Sequence, residues 1–148
     1  MMSDPLFIIG KATVRGPRQI VTGFLYQSGA AEAIDICSSG EMLQKLGLKA
    51  VLTVAHDIRV KVPANIIHLH LPVDEVNPTD PKYFNLACRL GTYPLLVHCM
   101  AGANRSRVFA AAIASQALGV PLEKAIELAD PPPSGIVFES MMKWARGG

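Results

Sequence analysis

Tyr93-Pro94-Leu95-Leu96-Val97-His98-Cys99-Met100-Ala101-Gly102-Ala103-Asn104-Arg105-Ser106 is the stretch from which the rest of the chain is read. Leu95-Leu96-Val97 is a short continuous apolar run of the kind that fills a buried strand. After Ser106 an alanine-rich segment reads as helix as far as Leu118, with Gly119 as its stop. Small residues occupy the loop between the two. A strand–loop–helix unit of this kind turns a fan of backbone N–H groups and the positive end of a helix towards one spot, which suits an oxyanion such as phosphate. Cys99 opens that loop and Arg105 closes it.

The order of residue types has a chemical reason. A thiolate, unlike a thiol, is a good nucleophile, and loop amides, a helix N-terminus and an arginine all favour the anion. The N–H groups from Met100, Ala101, Gly102, Ala103 and Asn104 to Arg105 are the expected phosphate cradle. Gly102 lets the backbone turn closely with no Cβ in the way. Arg105 offers two oxygens a fork that lysine cannot reproduce. Ser106 brings a hydroxyl to the first helical turn, near enough to help the sulfur leave again. A buried cysteine before an ordinary helix is the plainer alternative. It leaves the spacing, the glycine and the arginine as coincidences.

Cys99, five residues, then Arg105-Ser106, preceded by Leu96-Val97-His98, resembles the signature of the cysteine-dependent protein tyrosine phosphatases. The Ala101-Gly102 pair and the compact length are similar to the dual-specificity branch. The resemblance implies a phosphocysteine intermediate, an upstream aspartate that serves as acid and then base, and a histidine, here His98, that orders the loop and supports the thiolate. It implies no metal or other cofactor. Asn104 departs from the serine that many dual-specificity members carry before the arginine. The stretch Gly23-Phe24-Leu25-Tyr26-Gln27-Ser28-Gly29 is similar to the Leu-Tyr-x-x-Gly strand that opens many such domains.

Composition agrees with one domain. The chain has 148 residues, half of them apolar, which is enough for a sizeable core. A net charge of +2 gives no pull towards nucleic acid or a membrane surface. Cys37, Cys88 and Cys99 are spaced like neither a disulfide framework nor a zinc site, so a reducing, cytoplasmic setting is expected. No apolar run approaches the roughly 18 residues of a membrane span, and the N-terminus lacks the basic region of a secretory signal.

Residues 1–22 read as an N-terminal extension, with a short strand at Leu6–Ile9 and a basic turn at Lys11–Arg18, and residues 23–148 as the phosphatase-like domain. Ser38, with Glu41 three residues on, predicts a capped helix over Ser39–Leu46. Strands are expected at Ala50–Val54 and Ile66–Leu71, helices at Pro81–Leu90 and Pro121–Ala129, and a last helix from Ser134 through Trp144. Asp130-Pro131-Pro132-Pro133 separates the final two. This order predicts an α/β fold: a single domain with a central, mostly parallel sheet flanked by helices on both faces. His68 and His70 share a strand face as metal ligands do, but no third ligand stands at a useful spacing. Together with His56 they are expected as neutral, packed histidines.

Asp74 follows Leu71-Pro72-Val73 at a strand end, 25 residues before Cys99. Ligands of parallel sheets sit beyond the carboxyl ends of strands, so Asp74 and Cys99 are expected at one edge. The resemblance implies that Asp74 is the acid, with Asp80 and Glu75 as competitors; Asp80 before Pro81 also suits a helix cap. The expected activity is hydrolysis of phosphomonoesters, in particular phosphotyrosine, phosphoserine or phosphothreonine in proteins. Cys99, Arg105, Asp74 and Ser106 would carry it, with inorganic phosphate, sulfate or vanadate binding in the loop. The alternatives are an RNA 5′-phosphatase or triphosphatase, since Asn104-Arg105 is similar to those relatives, a phosphoinositide phosphatase, a sulfur-transfer enzyme, and an adaptor that binds phosphate without turnover.

Overall fold

The computed structural model describes residues 6–9, 12–15, 17–128 and 133–147. In chain order the elements are β1 (Leu6–Ile9), β2 (Ala12–Arg15), β3 (Arg18–Val21), β4 (Leu25–Ser28), α1 (Ala30–Cys37), α2 (Gly40–Leu46), β5 (Ala50–Val54), β6 (Ile67–Leu71), α3 (Pro81–Leu90), β7 (Leu95–His98), α4 (Arg105–Leu118), α5 (Leu122–Leu128) and α6 (Gly135–Ala145). β1 and β2 form an antiparallel ribbon of their own. The main sheet has five strands in the order β3-β4-β7-β5-β6. β4, β7, β5 and β6 run parallel, and β3 pairs antiparallel with β4 at one edge.

The short apolar runs are strands because both of their faces are covered. In β7, Leu95 and Val97 belong to one apolar core and Leu96 to another. Leu52 and Val54 of β5 divide from Val51 in the same way, as the period-two alternation of a strand requires. On one face α3, α4 and α6 pack around Phe84, whose ring stacks on Phe109 at 4.6 Å and on Trp144 at 5.3 Å. Val137 and Met141 of α6 are buried beside them, so the expected stripe of the last helix is core. On the other face α1 and α2 cover Val51 and Leu96 with Ile36, Met42 and Leu43. The expected α/β domain, with a mostly parallel sheet between two helical layers, is the architecture found.

Several local expectations change. α1 was not anticipated: its cap is Gly29, which has no side chain to signal a helix start, while Glu32 accepts from the Gly29 N–H at 3.2 Å. α2 is capped one residue later than expected. Ser39 Oγ accepts from Met42 N–H at 3.2 Å, and Ser38 instead donates back to the Asp35 carbonyl at 3.0 Å, closing α1. The basic stretch 11–18 is not a single turn, since its backbone enters β2 and β3, and Arg18–Val21 forms the antiparallel edge of the main sheet. Lys11, Gly16 and the run Asp130-Pro131-Pro132 lie outside the described residues. Among the described residues no helix is long and apolar enough to cross a membrane.

Because four strands are parallel, their carboxyl ends share one edge. The turns that leave them bring Gly29, Ala55–Asp57, Pro72–Asn77 and the Cys99–Arg105 loop together there.

Candidate active site

Cys99 leaves the end of the central strand and is only 2% exposed. Among the described residues two groups face its sulfur: Ser106 Oγ at 3.1 Å and the Gly102 N–H at 3.3 Å. Ser106 is fully buried, and Gln27 Nε2 donates to its oxygen at 2.8 Å. The hydroxyl proton is therefore left for Sγ or for the Ser28 carbonyl at 3.3 Å, and an anionic sulfur is the stronger acceptor.

The loop is held by its carbonyls from outside. Ala30 N–H donates to the Met100 carbonyl at 2.8 Å, and Gln27 Nε2 and Arg107 Nε donate to that of Gly102 at 2.9 and 3.1 Å. A trans peptide points its C=O and N–H in opposite directions. Carbonyls tied outward thus turn the amides that follow them, those of Ala101 and Ala103, towards the interior of the loop. Gly102 has φ +74°, and a Cβ there would fall 2.6 Å from Gly29 N. A Cβ on Gly29 would fall 2.9 Å from the Ala101 carbonyl carbon and oxygen. The two glycines let the loop and the α1 turn touch backbone to backbone.

Asn104, the departure noted in the sequence, clasps the start of α6. Its Nδ2 donates to the Ser134 carbonyl at 2.7 Å and its Oδ1 accepts the Ser134 N–H at 2.9 Å. Ser134 precedes α6 but makes no side-chain cap.

His98 is fully buried, and burial pushes its pKa down to about 4, so the ring is neutral at neutral pH. Its Nδ1 lies 3.1 Å from the Cys99 carbonyl, which only accepts, so Nδ1 carries the proton. Nε2 then accepts from Thr53 Oγ1 at 2.8 Å, and Thr53 in turn accepts from His68 Nε2 at 2.9 Å. One directed chain runs from the ring of His68, through its part-buried hydrogen bond to Thr53, to the first peptide of the loop. Holding the Cys99 carbonyl towards His98 aims the Met100 N–H into the cradle. His98 therefore acts on the loop as a neutral donor. His70 Nε2 bonds the Ala55 carbonyl at 2.7 Å, and His56 meets the Val73 carbonyl with its backbone N–H at 3.0 Å and its ring Nδ1 at 3.3 Å. Among the described residues no group of three or more His, Cys, Asp or Glu is arranged to hold a metal ion.

Arg105 is buried and its guanidinium is met by Asp57. NH1 and NH2 reach the two carboxylate oxygens at 3.0 and 3.2 Å, and NH1 also donates to the Val73 carbonyl at 2.9 Å. The Arg105 hydrogen bonds hold the Asp57 carboxyl below its usual range. Among the described residues three of the five N–H groups are thereby used. The pair left over, Nε–H and the second N–H of NH2, form one edge of the guanidinium and suit two oxygens of a phosphoryl group. Asp57 was not foreseen. The rule that placed Asp74 at a strand's carboxyl end applies equally to the strand Ala50–Val54, three residues before Asp57. Gln27 and Thr53, buried polar residues inside strands, give no such signal.

Asp74 sits beside this cluster through its neighbour's carbonyl, but its carboxylate is turned onto its own turn. Oδ1 accepts the N–H groups of Val76 and Asn77 at 2.8 and 2.7 Å, and Oδ2 accepts from Asn77 Nδ2 at 3.1 Å. The Asn77 side chain, then the backbone N–H groups of Asn77 and Val76, hold its pKa below the ordinary value. Glu75, its neighbour on the turn, is exposed. Asp80 caps α3, accepting from Lys82 N–H at 3.0 Å.

No protein-family model and no curated protein matches this sequence. Solved structures do match in fold. A human DUSP28 variant superposes with a TM-score of 0.76 at 18% identity, covering 90% of this chain and 97% of that one. A human tyrosine phosphatase-like serine/threonine/tyrosine-interacting protein gives 0.69 at 18% identity, with coverage of 90% and 97%. A mouse putative dual specificity phosphatase complexed with zinc tungstate gives 0.71 at 16% identity, with coverage of 86% and 85%.

Proposed function

From the dual-specificity phosphatase fold, which this chain has, we propose an enzyme that hydrolyses phosphomonoesters of proteins through a phosphocysteine. The observation that carries the reading is the pairing of a buried Cys99 sulfur, met by Ser106 and the Gly102 N–H, with an Arg105 whose free edge is kept open by Asp57. A mouse protein of this fold is complexed with zinc tungstate, and tungstate is an oxyanion shaped like phosphate, which supports a reading of the Cys99–Arg105 loop here as an oxyanion site. A human protein of this fold is named as an interacting protein, so the fold alone does not separate turnover from binding. The nucleophile and the arginine together favour turnover.

Cys99 attacks phosphorus in line while Arg105 and the amides of Met100 to Asn104 hold the equatorial oxygens. The S–P bond forms as the P–O bond to the leaving alcohol breaks, and the alcohol takes a proton from an acid. Water then attacks the thiophosphate, its proton going back to that acid, and Ser106 donates to the departing sulfur. These loop donors supply the electrostatic stabilisation of the transferring group. Asp74 is the proposed acid. To deliver a proton it must leave the Val76 and Asn77 N–H groups that hold it ionised, so opening of the 74–77 turn accompanies substrate binding. Glu75 is the second candidate, as the exposed carboxylate next to Asp74 on the same turn.

The test is hydrolysis of a panel of phosphopeptides, phosphoinositides and 5′-triphosphorylated RNA by wild type, Cys99→Ser, Asp74→Asn and Glu75→Gln. Wild type is expected to prefer phosphopeptides, and Cys99→Ser to lose turnover while still binding phosphate. Loss of the acid should slow alkyl phosphates about 10²–10⁴-fold and nitrophenyl phosphate much less. Activity of Cys99→Ser within tenfold of wild type would overturn the mechanism, and that leaving-group selectivity in Glu75→Gln instead of Asp74→Asn would move the acid by one residue.

A further inference from the structure

A groove of about 740 Å³ runs between α1 and the segment joining β5 to β6, walled by Ile34 and Cys37 on one side and by Arg59, Val60, Lys61 and Val62 on the other. Both walls start at the candidate active site. α1 begins at Ala30, whose N–H holds the Met100 carbonyl, and the opposite wall leaves Asp57, the partner of Arg105. Along that wall Ile58, Val60 and Val62 are partly or wholly buried while Arg59 and Lys61 are exposed, which is the alternation of extended chain. It is nonetheless unpaired: the backbone groups of residues 58–62 bond no other described residue. The lining holds two cations and no carboxylate, and neither Arg59 nor Lys61 forms an ion pair among the described residues. Ile34 stands 45% exposed at the rim.

We propose that this groove seats the stretch of a protein substrate that flanks its phosphorylated residue, as an extended acidic segment with an apolar side chain set against Ile34 and Val62. The proposal rests on the phosphatase reading of Cys99 and names the substrate class for it. An extended peptide satisfies the unpaired backbone of residues 58–62 as an added strand. Glu or Asp side chains meet Arg59 and Lys61, giving a preference that salt weakens. The apolar side chain removes Ile34 from water. Ile34 lies about 6 Å along α1 from Ala30 by the helical rise, and extended chain advances about 3.3 Å per residue. The recognised residues therefore stand on the order of two to four positions from the phosphorylated one, on one side of it.

Matched phosphopeptides with acidic, neutral or basic flanks test this in wild type, in the double variant Arg59→Glu with Lys61→Glu, and in Ile34→Asp. The wild type should favour the acidic over the basic peptide in kcat/KM, and the double variant should lose about tenfold of that ratio, as two exposed charge pairs allow. Nitrophenyl phosphate, which has no flank, should be hydrolysed equally by all three proteins. An unchanged acidic-to-basic ratio in the double variant overturns the proposal. Docking is also read without turnover, from amide shifts of residues 58–62 when an unphosphorylated acidic peptide is added. Shifts confined to that wall uphold the groove even where no phosphoester is cleaved, and their absence overturns it.

Discussion

At the scale of single residues, Asp57 and Thr53 extend the site beyond its signature. Asp57→Asn keeps a polar group against Arg105 but places an N–H₂ where a carboxylate oxygen stood. Two effects oppose each other. Removing a negative charge near a bound phosphate helps binding, by about 1 kcal/mol at such an exposed position. Releasing the guanidinium costs alignment, for which about 10²-fold, or about 2.7 kcal/mol, is representative. Misalignment wins, so kcat/KM should fall about 10–100-fold and inorganic phosphate should inhibit more weakly. A rate equal to wild type would show that Arg105 orients itself. Thr53→Val removes the hydroxyl that donates to His98 Nε2. The Nδ1 proton stays on the Cys99 carbonyl, but Nε2 is left buried without a donor, and a ring held by one hydrogen bond instead of two holds the first peptide of the loop less firmly. One oxyanion donor is worth about 10²–10³ in kcat, which bounds the loss. Imidazole ¹⁵N spectra should show His98 as the Nδ1–H tautomer in all three proteins, with the Nε2 resonance moved to that of an unbonded nitrogen and kcat lowered in Thr53→Val but not in Thr53→Ser. An unchanged kcat in Thr53→Val would show that the loop is placed without this hydrogen bond.

At the scale of elements, the loop is placed by its contact with the start of α1 as well as by β7 and α4. Gly29→Ala puts a methyl 2.9 Å from the Ala101 backbone, where no flexible side chain can yield. Stability should fall by about 1–3 kcal/mol, as for overpacking elsewhere, and kcat should fall with it because the atoms pushed belong to the cradle. Gly40→Ala is the control. It opens α2 with nothing within 4 Å of the new Cβ, so it should leave activity unchanged and raise stability slightly. Equal activity of the two variants, read beside their urea midpoints, would remove α1 from the account of the site.

For the whole molecule, the neutral His98 makes stability depend on pH. Its pKa is ordinarily 6.5 and burial holds it at about 4 in the fold. Below about pH 6.5 the unfolded chain takes a proton that the folded chain refuses, so stability falls as pH falls and the loss ends near pH 4. The full effect is on the order of 3 kcal/mol, of which about 1–2 kcal/mol is lost between pH 6.5 and 5. Burial lowers the His68 pKa as well, with the same sign. Asp57 and Asp74, also lowered, lose their contribution only below the carboxylate range, so the window from pH 6.5 to 5 isolates the histidines. Urea unfolding across that window should show a shallower pH dependence in His98→Gln than in wild type, whatever the variant's absolute stability.

The strand, loop and helix around Cys99 and Arg105 were legible in the sequence because the signals that define them, an apolar run, a small-residue loop and a helix with its glycine stop, are all local. β5, α3 with its Asp80 cap and the stop at Gly119 were legible for the same reason. α1 was not, because its cap is a glycine and its apolar face is short. The partners of the signature residues were decided by the tertiary structure alone. Asp57 meets Arg105 across 48 residues of chain, Thr53 meets His98 across 45, and Gln27 meets Ser106 across 79. The strand order β4-β7-β5-β6 makes these residues neighbours, and no local spacing records that order. The direction of the Asp74 carboxylate was likewise settled by its turn: the sequence places an acid at the right edge, and the hydrogen bonds of Val76 and Asn77 decide which way it faces.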